Sequence, residues 1–247
     1  MKKIIISSIL IIVIGLIFSF IFLYFLLNLL PKENTVNKKL RVTIAKNITL
    51  RNILRLNQVG DAKNDYLSDN NFKKLEIIVY SNHEGITDNV KNNILLELSK
   101  TIKKPDGITF RTLPLDNFEK EDVDDIEINN LLDNYPILVN KNAVLHIFIL
   151  NSYIPNSTYA GIVKDANNII IFIDPIKKLS FYEKNTDNAL TSTILHEFAH
   201  ILGAGHIDDD NCILSSKVEN ISYDRPKAII INFCEKDLEE INKNASN

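Results

Sequence analysis

The sequence predicts an α+β domain, α/β-like in its order of elements, with one mixed and mostly parallel sheet behind an N-terminal transmembrane helix. Three observations lead there. The run from Ile4 to Leu30 has no charged residue in 27 positions. Two segments, "AVLHIFIL" (143–150) and "NIIIFID" (168–174), are almost wholly apolar, as strands buried on both faces are. From Leu75 onward, strand-like and helix-like stretches alternate in the order β-α-β-(α)-β-β-β-α.

The first element is the apolar run. A helix needs about 20 apolar residues to cross the hydrocarbon core, whereas a cleavable signal peptide has an apolar region of about 7–15 residues and a small-residue cleavage site. "FIFLYFLLNLLPKEN" offers no such site, so residues 1–31 are expected to be an uncleaved anchor, with a long signal peptide as the alternative. Lys2 and Lys3 favour an inside N-terminus, and a long domain after Leu30 can translocate regardless of its own basic residues. The folded domain is then extracytoplasmic, or secreted if the segment is cleaved.

Residues 32–70 are polar around one apolar patch, "LRVTIAKNITLRNILRL", and read as a linker or small pro-like segment. The main domain is expected over 71–247. "LEIIVYS" (75–81) is its first strand. A helix follows from the N-cap Thr87, with Val90, Ile94, Leu95, Leu98 and Ile102 on one face. "GITFRTLPL" (107–115) is the second strand. Glu119 to Glu127 carries six carboxylates and reads as a solvated helix leading to Leu131-Leu132, without the spacing of an EF-hand calcium loop. His146 lies inside an apolar strand and is expected to be a satisfied core histidine. "NSTYAGIVKDAN", with Gly161, suits an antiparallel edge strand. The last helix is "NTDNALTSTILHEFAHILG" (185–203), and a small C-terminal subdomain follows it.

At 247 residues the chain holds one good-sized core. Its 45% apolar and 24% charged residues describe a folded protein, and a net charge of −3 leaves no basic footprint for nucleic acid. Abundant Ile, Asn and Lys carry no functional message and weaken sequons such as Asn47-Ile-Thr. Cys212 and Cys234 either pair across a loop of about 20 residues or remain two buried thiols.

The chemistry is concentrated in "HEFAHILGAGH". His196 and His200, four apart on a helix, project from one face, where two imidazoles reach one metal. Glu197 stands beside His196, placed to meet a water at that metal, and zinc is the usual ion for this spacing. Gly203 can take φ > 0 and end the helix, so that the chain returns with His206 as third ligand. Gly205 is a further candidate for easing that turn. One catalytic zinc on three imidazoles would polarise a peptide carbonyl, with Glu197 as general base.

These five residues, His196, Glu197, His200, Gly203 and His206, match the full H-E-x-x-H-x-x-G-x-x-H signature, and the chain resembles the metzincin clan of zinc metalloproteases. "DDNCILSS" resembles the clan's Cys-x-Met-Ser turn beneath the metal, with Leu214 at the methionine. That exchange is nearly volume-conserving and is expected to leave activity intact. The resemblance implies a metzincin-type fold and an endopeptidase acting on protein or peptide, which binds extended substrate by strand addition at Tyr159–Val163. Ile207, after the third histidine, does not assign a subfamily. The compact turn and Cys234 resemble archaemetzincins and small bacterial relatives, without the former's additional cysteine cluster and second zinc. Tyr223 stands at the wrong spacing for the clan's auxiliary tyrosine. Pro-segments in the clan can plug the zinc. No cysteine precedes residue 212, and Gly60-Asp61 in "QVGDA" is either a turn or an aspartate plug.

Two functional classes follow: a membrane-anchored zinc endopeptidase, or a catalytically inactive metzincin-like module that holds a peptide. An intact Glu197 favours the first. An intramembrane protease is excluded, because the motif lies far beyond the only apolar span.

Overall fold

Alternate residues of the central strands point to opposite faces, and that alternation organises the main domain. In a computed structural model the chain is described over residues 2–30, 34–82, 85–116, 118, 120, 122–135, 141–179, 183–216 and 229–243. It divides into two units, Met1–Leu56 and Asn57–Asn247.

The first unit holds α1 (Lys2–Leu29), α2 (Thr35–Ala45) and α3 (Ile48–Ile53). Asn34 caps α2, its Oδ1 accepting the amides of Val36 and Asn37 at 3.0 and 3.2 Å. Asn47 caps α3 by accepting the amide of Leu50 at 3.0 Å. The Asn47-Ile-Thr sequon is thus a helix start, its side chain engaged with the backbone.

The second unit contains α4 (Lys63–Leu67), β1 (Leu75–Tyr80), α5 (Asp88–Thr101), β2 (Ile108–Leu113), β3 (Asp122–Val123), α6 (Asp125–Asp133), β4 (Ala143–Leu150), β5 (Ser152–Tyr153), β6 (Gly161–Val163), β7 (Asn168–Phe172), α7 (Ile173–Leu179), α8 (Glu183–Ile201) and α9 (Glu235–Lys243). The main sheet has the order β2-β1-β4-β7-β6. β1 pairs in parallel with β2 and β4, β4 in parallel with β7, and among the described strands of this sheet only β6 runs antiparallel, with Gly161 opposite Ile171. This is the expected mixed sheet with an antiparallel edge strand. β3 and β5 form a separate two-stranded parallel pair.

Leu75, Ile77 and Val79 of β1 and Leu145, Ile147 and Ile149 of β4 pack in one cluster with α5 and α8. Ile78, Tyr80, Val144 and Phe148 face the other way, toward Ile128 and Leu131 of α6. Helices therefore cover both faces of a parallel sheet, which explains its continuous apolar strands. His146 joins the second face, in edge contact with Tyr80 at 5.4 Å between ring centres. Thr87 caps α5 through the amide of Val90 at 3.3 Å. Thr87 and Asn89 both donate to Asp187 Oδ2 at 2.9 Å, tying the start of α5 to α8.

One expectation is corrected. The acidic stretch is not one helix. α6 starts at Asp125, set by a capping box in which Asp124 and Glu127 accept each other's backbone amides at 2.9 and 3.0 Å. Residues 57–70 fold with the second unit. Tyr66, fully buried, donates to the Val144 carbonyl at 2.8 Å and packs edge-on against Phe198. Lys104 donates to the carbonyls of Asp65, Ser68 and Phe72, closing the loop after α4.

Candidate metal centre

α8 brings His196 and His200 into the domain one turn apart, and the way it ends decides where the next histidine goes. Gly203 has φ +84°. Its amide donates to the His200 carbonyl at 2.8 Å, and the Ala204 amide donates to Ala199 at 3.1 Å. Together these bonds form a Schellman motif, which needs a residue at ease in the left-handed region. Gly205 has no positive φ, and among the described residues a Cβ there would meet only Glu240 Oε1 at 3.9 Å. The reversal therefore depends on Gly203.

Beyond the reversal, His206 joins the other two. The Nε2 of His200 lies 3.0 Å from that of His196 and 3.2 Å from that of His206. In a tetrahedral zinc site with Zn–N near 2.0–2.1 Å, ligand nitrogens stand roughly 3.3 Å apart, so the trio is spaced to hold zinc. The tautomers agree. His196 Nδ1–H donates to the Ile213 carbonyl at 2.7 Å, and His200 Nδ1–H donates to the Ala204 carbonyl at 2.8 Å. Each carbonyl fixes the proton on Nδ1 and leaves the Nε2 lone pair for a metal. Ala204 thus closes the helix through its N–H and orients the His200 ring through its C=O. Exposure rises from buried His196 through His200 to exposed His206, so the cradle opens on the His206 side.

Glu197 is buried beside this cradle, against the edge strand. A Cβ built on Gly161 would lie 2.8 Å from both Cγ and Oε1 of Glu197. Only a glycine at that point of β6 leaves room for the carboxylate.

The chain below the histidines is held by a carboxylate that sequence reasoning missed. Asp237 on α9 is fully buried. Its Oδ2 accepts the amides of Ile213 and Cys234, and its Oδ1 accepts the amide of Leu214, each at 2.9 Å. Asp237 thus grips the same peptide whose carbonyl orients His196. Leu214, at the expected methionine position, is fully buried. Ile207 donates to the Leu214 carbonyl at 3.0 Å, joining the segment after His206 to the turn. Cys212 and Cys234 form a disulfide with Cα atoms 5.3 Å apart, fastening the turn to the start of α9. The two sulfurs are bonded to each other, so the trio Cys212, Cys234 and Asp237 offers no thiolate for a second metal.

Gly60 and Asp61 form a turn. The Asp61 Oδ2 accepts the Gln58 amide at 2.6 Å, and its own amide donates to the Gln58 carbonyl. Asp61 is not among the ligating groups gathered with the three histidines. Tyr223 lies outside the described residues, as does most of the segment between the turn and α9.

No protein-family model matches the chain, and no curated protein matches it by sequence. Solved structures do. Archaemetzincin from Methanopyrus kandleri superposes with a TM-score of 0.53 at 15% identity, covering 72% of this chain and 98% of its own. A zinc-dependent peptidase from Methanocorpusculum labreanum gives 0.48 at 14% identity, covering 68% and 100%, and the malonate complex of archaemetzincin from Archaeoglobus fulgidus gives 0.43 at 13%, covering 68% and 99%. The first superposition shows that this chain takes the archaemetzincin fold, with the mostly parallel sheet and antiparallel edge strand anticipated from its sequence.

Proposed function

We propose that this chain, built on the archaemetzincin fold, is a membrane-anchored zinc endopeptidase. The observation that carries the reading is the convergence of three Nε2 atoms, two of them with carbonyl-fixed tautomers, beside a buried glutamate. A solved structure that shares the fold is that of an archaemetzincin.

His196, His200 and His206 would hold the zinc. Zinc so held supplies a Lewis acid for the peptide carbonyl and lowers the pKa of a water toward about 7. Glu197 would be placed to take a proton from a water on its carboxylate and to hand it to the leaving amine nitrogen. A substrate in extended form adds as a further strand along the outer edge of β6, where Gly161 brings Glu197 close to the strand.

α1 supports the anchor. From Ile9 to Leu29 it is long and apolar enough to cross a membrane, a test that a signal sequence also passes. The Cys212–Cys234 disulfide supports a domain on the oxidising, extracytoplasmic side.

The test is metal content and peptide cleavage by the full chain in detergent, beside Glu197→Ala and His206→Ala. About one zinc per chain is expected in the wild type, kept without cleavage in Glu197→Ala and weakened in His206→Ala. A folded wild type that binds no zinc overturns the reading. Tight zinc without cleavage of any peptide in a library would put the peptide-holding module in its place.

A further inference from the structure

The apolar run is longer than a bilayer requires. Ile4 to Leu30 is 27 residues, or about 40 Å of helix at 1.5 Å per residue, against about 30 Å of hydrocarbon. The excess is covered at the C-terminal end. Leu23, Tyr24 and Leu27 pack with Leu40, Ile44 and Leu54 of the α2–α3 hairpin. Polar groups reach the same turns. Arg41 Nη1 donates to the Leu27 carbonyl at 2.7 Å, and Asn37 Nδ2 donates to Leu30 at 2.8 Å. A guanidinium at that level is costly in hydrocarbon, so α1 leaves the acyl region before Leu27. Ile4 to Leu23 remains for the crossing, about 30 Å long.

The hairpin therefore sits at headgroup level, and its composition suits that place. From Asn34 to Gly60 there are six cations, Lys38, Lys39, Arg41, Lys46, Arg51 and Arg55, and no Asp or Glu. Arg41 and Arg51 are buried, while Lys38, Lys39, Lys46 and Arg55 are exposed. Among these exposed cations stand three large exposed apolar side chains, Val36, Leu50 and Ile53, with 57, 42 and 55% of their surface open. Apolar side chains interleaved with cations and lacking anions mark a surface that lies on an anionic bilayer.

We propose that α2 and α3 form an interfacial collar that binds anionic phospholipid headgroups through Lys38, Lys39, Lys46 and Arg55 and sinks Val36, Leu50 and Ile53 to the acyl boundary. The collar rests on the reading of α1 as a membrane span. It also gives a role to cations that, as loop charges beside a span, would favour the orientation opposite to the one the disulfide marks.

The chain has no tryptophan, so single Trp substitutions report depth cleanly. Phe18→Trp, Leu50→Trp and Ile53→Trp full-length chains are reconstituted into vesicles of mixed phosphatidylcholine and phosphatidylglycerol, and of phosphatidylcholine alone, each with brominated acyl chains as quencher. Phe18→Trp should be quenched in both. Leu50→Trp and Ile53→Trp should be quenched in the mixed vesicles. Their quenching should fall by about twofold or more without the anionic lipid, or when Lys38, Lys39 and Arg55 are changed to Glu. If Phe18→Trp is quenched and the two hairpin reporters are not, the collar is wrong and the anchor stands. Hairpin quenching that ignores both lipid charge and charge reversal overturns the headgroup assignment. An unquenched Phe18→Trp removes the anchor, and the collar with it.

Discussion

Gly161 and Glu197 touch so closely that the hydrogen on the glycine Cα stands where no methyl group fits, since a Cβ would lie 2.8 Å from the glutamate's Cγ and Oε1. Through this pair the edge strand β6 and the histidine-bearing helix α8 share one small volume. A missing side chain on one element gives the carboxylate of the other its place.

Gly161→Ala should therefore push the Glu197 carboxylate aside and leave the three histidines untouched. A displacement of about 1 Å in a catalytic group costs on the order of a hundredfold in rate. Peptide cleavage should fall by about that factor while bound zinc per chain stays at the wild-type value. Full activity in the variant would show that the glutamate works from another rotamer.

Asp237→Asn tests the grip on the turn. The amide can accept on only one side, so at least one buried N–H among Ile213, Leu214 and Cys234 loses its partner, at a cost of about 1–3 kcal/mol. The Ile213 peptide is then free to tilt, and its carbonyl no longer pins His196. Outer-shell changes of this kind weaken metal binding by about 10–100-fold. Thermal melting and zinc competition against a chelating dye should both register the change. A loss of stability with unaltered zinc affinity would confine Asp237 to folding.

Reduction of Cys212–Cys234 opens a loop with a sequence separation of 22. Loop-closure entropy predicts a loss of about 3 kcal/mol. Denaturant unfolding of the detergent-solubilised chain with and without a phosphine reductant measures it, and equal midpoints would refute it.

His146 sets an acid limit. Burial pushes its imidazole down to about 4 from the ordinary 6.5. Between those values the unfolded chain binds a proton that the folded chain refuses, so stability rises with pH across the window. The contribution is complete above about 6.5 and lost as pH falls through about 4, a swing of about 3 kcal/mol. With metal chelated from both proteins, His146→Leu should melt with a flatter pH dependence between those limits. A profile parallel to wild type would assign the acid sensitivity elsewhere.

What could be read from the chain divides along physical lines. The gathering of His196, His200 and His206 was legible because helix periodicity and one helix cap place them, and both are written in consecutive residues. β1, α5, β2, β4 and β7 were legible because sheet and helix faces repeat at fixed periods. The start of α6 was also encoded, as the D-x-x-E of Asp124 and Glu127, but the surrounding run of carboxylates obscured it. α4 was not legible. "KNDYL" is short and polar, and its one core residue, Tyr66, is held by a carbonyl 78 positions away. Asp237 was equally hidden, since two of the amides it holds come from Ile213 and Leu214, 24 and 23 positions earlier. Its only local trace is its place three residues after Cys234.

The Schellman reversal at Gly203 has a consequence for how such a centre persists through descent. The mutual spacing of the donor atoms is written into one helix turn and one cap, not into the meeting of distant segments. Drift outside this segment and the Asp237 grip that orients His196 can then proceed a long way before it disturbs the spacing of the donors. A domain that shares its fold with a solved structure at 15% identity is what that kind of compact encoding permits.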